Sequence, residues 1–321
     1  PLAIDDISAL GKVFANDKIV KILHAGDYDI RSLNRDYDFS FRNVFDTSLA
    51  AALLGSKKLG LDSVLKEYID ADVTKDKKLQ RSDWSLRPLS KEARKYAADD
   101  VRYLFRAMEV MTNKLEKLGR ISWLKEECER LQLVKFNPRD EDIAFLDVKG
   151  SKILDGKALS VLQSLYSVRE DEAIGRDRPP FKIVGDSVLV AIARNPYSNY
   201  SEIKGIGMWG RPEMSKRIRK IAAEALDQPP IERPRRQNTR TNVMSNKERE
   251  KANARLKELK EWRKTRGEGI GIDPSLLWPT ISLDRLSKDP SRFKEEISEP
   301  QVRKWQYLEY GKELEGKLAC L

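Results

Sequence analysis

The sequence predicts an α/β domain followed by all-helical blocks, and three observations carry that reading. Two short β-branched runs, residues 18–24 (KIVKILH) and 43–46 (NVFD), each lead straight into a helical pattern, as strands alternating with helices do in α/β folds. After about residue 120 the strand signal disappears. What remains falls into two blocks with one order: a long charged helix, a turn containing proline, short helices, a glycine and a closing helix. Such an internal echo is the pattern of a diverged duplication.

Taken in order, residues 7–14 are amphipathic, and the run 18–24 ends at Ala25-Gly26 before a helix expected over 28–35. The strand at 43–46 feeds a helix over 47–54 that Gly55 stops, and 61–68 is helical. Residues 90–118 are expected as one long helix, opened by Ser90 and closed by Gly119. Helices follow at 153–169, 187–194 and 211–225, with an extended turn at 177–181 and a glycine-bearing loop at 205–210. A charged helix then runs over 245–265, and further helices from Pro274 to the end. The expected domains are 1–125, a connector 126–150, a helical domain 151–230, a basic linker 231–246 and a second helical domain 247–321.

Composition narrows the class. Lys and Arg number 61 against 51 Asp and Glu, and residues 231–270 hold 13 basic and 6 acidic residues, seven of the total excess of ten. A basic surplus gathered in one segment points to a polyanion partner, whereas an evenly spread one would be a solvated surface. The two cysteines, Cys128 and Cys320, are too few for a disulfide framework and too far apart for a zinc site, which fits a reducing cytoplasm. No apolar run approaches the ~20 residues of a membrane span. His24 is the single histidine, so any metal must be held by carboxylates, which favours hard ions such as Mg2+ or Mn2+.

The residues that carry chemistry lie in HAGDYDI (24–30) and YAADD (96–100). Tyr96 and Asp100 stand four apart on a helix, so a phenol and a carboxylate address one small volume. Asp29 supplies a second carboxylate where a strand turns into a helix. Hydrolysis of a phosphodiester needs an activated hydroxide and a stabilised leaving alkoxide, and two divalent ions about 3.5–4 Å apart supply both. Two carboxylates about 4 Å apart repel by roughly 4 kcal/mol at an effective dielectric near 20, so such a cluster is stable only around cations. Asp29 and Asp100 are the candidate metal ligands, and Tyr96 would orient the attacking water. Tyr and Asp at this spacing are common on helices, so the pair alone is weak; its order and context strengthen it.

Those segments, with NVFDT (43–47) and LQRSDWSLRPL (79–89), resemble ribonuclease D, a DEDD-type 3′→5′ exoribonuclease of the tyrosine subclass with a ribonuclease-H-like fold. The resemblance covers about residues 1–120. It implies that Asp29, Tyr96 and Asp100 are catalytic, that Asp29 and Asp100 hold two divalent cations, and that Asp27 and Asp99 are structural. It also implies release of nucleoside 5′-monophosphates from RNA 3′ ends, in the tRNA-maturation class. Arg81, Trp84 and Arg87 are candidate nucleic-acid contacts: arginines for phosphates, Trp84 for stacking on a terminal base, at about 1–3 kcal/mol per base. The competing reading packs Trp84 on the following helix and leaves the arginines solvated. Asp46 either bonds near the metals or caps the helix that follows it. LQSLYSVRE (162–170), RPPFKIV (178–184) and VAIA (190–193) are similar to an HRDC domain, and GIDPSLL (271–277) with VRKW (302–305) look like a second copy.

One departure matters. The family's first motif, Asp-x-Glu on an opening strand, has no counterpart, since Asp5-Asp6 has the wrong spacing. The expectation is therefore an N-terminally truncated nuclease domain whose first motif lies upstream of Pro1, so that these 321 residues alone are inactive. GIGMWG (205–210) fits the dinucleotide pattern GxGxxG, but no strand precedes it, so no nucleotide cofactor is expected. The rival functions are a 3′→5′ exonuclease on DNA, because the chemistry does not demand ribose, and a non-catalytic nucleic-acid-binding protein.

Overall fold

Two three-residue strands organise the N-terminal region. In the computed structural model, which describes residues 6–73, 76–138, 140, 142–234 and 244–321, α1 (Ser8–Ala15) precedes β1 (Lys21–Leu23), α2 (Asp27–Tyr37) and β2 (Val44–Asp46). The strands pair in parallel, Lys21 opposite Val44 and Leu23 opposite Asp46. Parallel neighbours need a crossover, and α2 supplies it. Then come α3 (Thr47–Leu54), α4 (Leu61–Ile69), α5 (Lys77–Gln80), α6 (Lys91–Arg102), α7 (Leu104–Lys117) and α8 (Ile121–Gln132). Gly55 ends α3 at φ 94°, the left-handed conformation that glycine adopts without strain.

The single helix expected over 90–118 is two helices, broken at Tyr103 (φ −99°, ψ −7°). Burial explains the break. The first half buries only Ala93, whereas α7 buries Leu104, Ala107, Met111 and Leu115 as one stripe against the core. Only the second half is committed to packing, so the first is free to take its own direction.

The residues form two compact units, Pro1–Phe136 with Asn242–Leu321, and Asn137–Thr241. Most of the expected basic linker, residues 235–243, lies outside the described residues. The second unit holds α9 (Gly156–Gly175), α10 (Pro180–Ile183), α11 (Asp186–Arg194) and α12 (Pro212–Asp227). Asp155 caps α9 by accepting from Ala158 N at 2.9 Å. The GIGMWG segment is a 3-10 turn over Gly207–Gly210 that sets Trp209, fully buried, into the core beside Leu162, Leu189 and Ile218. Gly205 (φ 85°) and Gly207 (φ 52°) are left-handed, so the glycine spacing serves the turn.

The C-terminal helices α13 (Asn246–Ile270), α14 (Pro274–Leu277), α15 (Thr280–Lys288), α16 (Phe293–Glu296) and α17 (Lys304–Cys320) belong to the first unit. A capping box opens α13: Ser245 Oγ accepts from Glu248 N, while Glu248 Oε2 accepts from Ser245 N at 2.7 Å. These helices share one apolar core with α3, α4, α7 and α8. Met111, Leu115 and Trp123 lie in it with Leu259, Trp278 and Leu314. Trp123 and Trp305 stack at 4.4 Å, and the Glu126 carboxylate accepts from Lys304 N (2.7 Å) and Trp305 N (2.9 Å), capping α17 from α8. Arg120, buried, donates from Nη1 to Leu53 O (2.8 Å) and from Nη2 to Ile270 O (2.7 Å). One guanidinium thereby joins the C-terminal ends of α3 and α13.

Candidate nuclease site

The site is built at the carboxyl ends of the two parallel strands, where β1 and β2 both turn into helices. This is the edge where open parallel sheets characteristically bind ligands. After Leu23 the chain passes through His24, Ala25 at φ 54° and Gly26 before entering α2. Gly26 is required by space: a Cβ there would meet Leu23 Cβ at 2.9 Å and Cδ1 at 2.5 Å.

Asp46, at the end of β2 and 1 % exposed, holds this turn. Its Oδ1 accepts from Ala25 N (3.2 Å), Ser48 N (2.8 Å) and Leu49 N (3.1 Å), and its Oδ2 from Gly26 N (2.8 Å). The carboxylate caps α3 and clamps the β1–α2 turn at once, so of the two roles open in the sequence, capping is the one seen. Beside it, the buried Thr47 hydroxyl donates to Leu23 O (3.0 Å) and pairs with His24 Nδ1 (2.9 Å). Because the hydroxyl proton is used on Leu23 O, His24 Nδ1 is the donor to Thr47 Oγ1. The sequence reading missed Thr47 and the turn clamp. An Asp-Thr pair ending one strand opposite a His-Ala-Gly turn was the available signal.

Asp29 lies in the first turn of α2 and is exposed as a whole residue, while its carboxyl end is partly enclosed on the Asp46 side. Partial burial, with a smaller contribution from the Asp46 charge, holds its carboxyl above the ordinary carboxylate range. Such a carboxyl gains from a neighbouring cation. Asp27 instead pairs with Arg31 at 2.7 Å on the solvent side.

On the later helices, Ser90 Oγ caps α6 by accepting from Ala93 N at 3.0 Å. Tyr96, Asp99 and Asp100 are half-buried, and Asp99 pairs with Arg102 at 3.3 Å. Trp84 is half-buried with its ring 6.0 Å from that of Tyr96. The structure thus brings the basic-aromatic segment onto the helix that carries Tyr96. Arg81 is exposed at the end of α5, whereas Arg87 folds back to donate to Trp84 O (2.8 Å) and Leu86 O (2.9 Å).

The chemistry of these donors suits a hard divalent ion, since Asp29 and Asp100 offer carboxylate oxygens. Their number does not complete a cage. Among the described residues no three His, Cys, Asp or Glu side chains gather in a metal-binding group, and Asp46 is already engaged by four backbone donors. Also among the described residues, no helix is long and apolar enough to cross a membrane.

Comparison with known proteins gives the domains and relatives of the chain. Residues 1–116 match the family model described as 3′-5′ exonuclease, and residues 158–224 match the HRDC domain. Ribonuclease D of Desulfotalea psychrophila is 28% identical over 290 residues, spanning 89% of this chain and 75% of that protein. Ribonuclease D of Haemophilus influenzae is 32% identical over 211 residues, 65% of this chain and 52% of that one. The chain therefore spans three quarters of the first relative and about half of the second. The crystal structure of Escherichia coli RNase D superposes with a TM-score of 0.67 over 99% of this chain and 84% of that one, at 24% identity, a likeness of fold. From these matches the chain carries a 3′-5′ exonuclease domain followed by an HRDC domain, and along most of its length it is similar to ribonuclease D.

Proposed function

We propose that this protein is a metal-dependent 3′→5′ exoribonuclease that trims RNA 3′ ends, tRNA precursors among them, to release nucleoside 5′-monophosphates in the cytoplasm. The observation that carries the reading is the parallel-strand edge itself. A buried Asp46 anchors the turn from which Asp29 departs, while the later helix α6 carries Tyr96, in ring contact with Trp84. Asp29 and Asp100 would hold Mg2+ or Mn2+, as one part of a ligand set for two ions. Bound ions would supply a hydroxide at neutral pH and stabilise the leaving alkoxide. The protein's own groups orient the reactants. The Tyr96 hydroxyl directs the attacking water, Trp84 offers a face to the terminal base, and Arg81 draws the phosphate backbone. Two carboxylates alone do not neutralise two divalent ions, so further oxygen ligands would complete the set. The helical block 247–321 reads as a second, diverged HRDC copy that buttresses the nuclease domain.

The test is digestion of a 5′-labelled RNA, beside the matching DNA, by the protein and by Asp29→Asn, Tyr96→Phe and Asp100→Asn. A ladder shortening one nucleotide at a time from the 3′ end should appear with RNA. It should fall at least 100-fold in the carboxylate variants, with the fold unchanged by circular dichroism. An Asp100→Asn enzyme that keeps wild-type activity sinks the assignment, and equal rates on DNA would favour the second substrate class.

A further inference from the structure

The clamp at the strand ends does more than cap a helix. One buried carboxylate takes four backbone donors from two different chain segments, two from the β1–α2 turn and two from the start of α3. Capping α3 needs only Ser48 and Leu49, and a serine or threonine would satisfy that need about as well. The bonds to Ala25 and Gly26 reach across the sheet to the turn that follows Leu23, the residue paired with Asp46 at the end of β1. They fix a turn that has little freedom of its own, with Ala25 left-handed and Gly26 pressed against Leu23. Asp29 follows three residues after Gly26, within the first turn of the helix that this clamp starts. A rotation of the turn therefore swings the Asp29 carboxylate with it.

The geometry points to Asp46 as a positioning residue: through the Ala25 and Gly26 amides it sets the direction of Asp29, and so the cation affinity of the site, without touching the cation. This rests on the reading of Asp29 as a metal ligand. Groups that orient a ligand from behind commonly change metal affinity 10–100-fold.

The experiment follows Mn2+ binding to the protein by electron paramagnetic resonance of the free ion, with amide hydrogen exchange on the same samples. In Asp46→Ser the α3 amides should stay protected, exchange at residues 25–26 should rise at least 10-fold, and Mn2+ affinity should fall about 10-fold or more. Gly26→Ala forces the same turn aside while leaving the Asp46 side chain and the α3 cap in place, so it should lower Mn2+ affinity similarly. This second variant decides the matter if Asp46→Ser fails to fold. Loosened exchange at 25–26 with unchanged Mn2+ affinity in either variant overturns the positioning role alone. Asp29→Asn serves as the control. If it binds Mn2+ like the wild type, or the wild type binds none, the ligand reading fails and the positioning role falls with it.

Discussion

Arg120→Met keeps an unbranched apolar stem and removes the charge and the two donors that Arg120 uses. In the native unit Leu53 O and Ile270 O lie in the last turns of α3 and α13, where the helix dipoles favour a cation. Hydrogen bonds to a charged group contribute about 1.5–3 kcal/mol each, so the pair contributes roughly 3–6 kcal/mol. Burial, opposed by Tyr310, holds the Arg120 guanidinium below the ordinary arginine range, so desolvation offsets part of that gain. The expected loss is about 3 kcal/mol, the lower end of that range. Urea unfolding followed by tryptophan fluorescence should show this as a lower midpoint at unchanged slope. Arg120→Lys, a single point charge facing two separate carbonyls, should lose about 1–2 kcal/mol. A loss under ~1 kcal/mol in Arg120→Met would refute the claim that this guanidinium joins the two helix ends.

Four further outcomes are expected. Truncation after residue 245 removes the helices that share the core with Met111, Leu115 and Trp123, so the remainder should aggregate or lose its cooperative melt; a soluble remainder with the native melting temperature would contradict the shared core. Gly267→Ala would press a Cβ against Pro274 Cα at 2.8 Å, backbone that cannot rotate away, and should cost about 1–3 kcal/mol in the same urea assay. Ser90→Ala removes the cap of α6 and should cost about 1 kcal/mol, recovered in Ser90→Asp. Cys320 is exposed and Cys128 buried, so one of two thiols should react quickly with a disulfide reagent at pH 8, the other only on unfolding. Burial pushes the Cys128 thiol up to about 12 from the usual 9. A folded-state pKa above the unfolded one means that its stabilisation, on the order of 4 kcal/mol, is complete below pH 9 and lost between about 9 and 12. Equal reactivity of both thiols in the native state would contradict this.

Much of the chain was legible from its residues because local signals and the fold agreed. The β-branched runs at 18–24 and 43–46 became β1 and β2, shorter than drawn. Ser90, Asp46 and Ser245 each begin a helix as their side chains allow, and Gly55 and Gly271 each end one in the left-handed conformation. The ordered motifs named the family, and the helical half was read from the same kind of evidence. The break at Tyr103 was not legible, since no proline or glycine marks it; it follows from which faces of the two halves are buried. Arg87, a candidate nucleic-acid contact in sequence, is exposed and donates to two carbonyls of its own loop. Whether an arginine meets solvent or a carbonyl depends on the path of the backbone, which residue type does not encode.

By itself the sequence determined the chemistry on offer: two carboxylates, a phenol and a tryptophan in the order of the motifs they resemble, with no histidine or cysteine set to compete. Only the tertiary structure decided that Asp46 clamps the turn ahead of Asp29, and that the C-terminal helices complete the core of the first unit around Arg120 and Trp123. Helix and strand signals act over a few residues, while a hydrogen bond between positions 120 and 270 exists only once packing has brought distant backbone together.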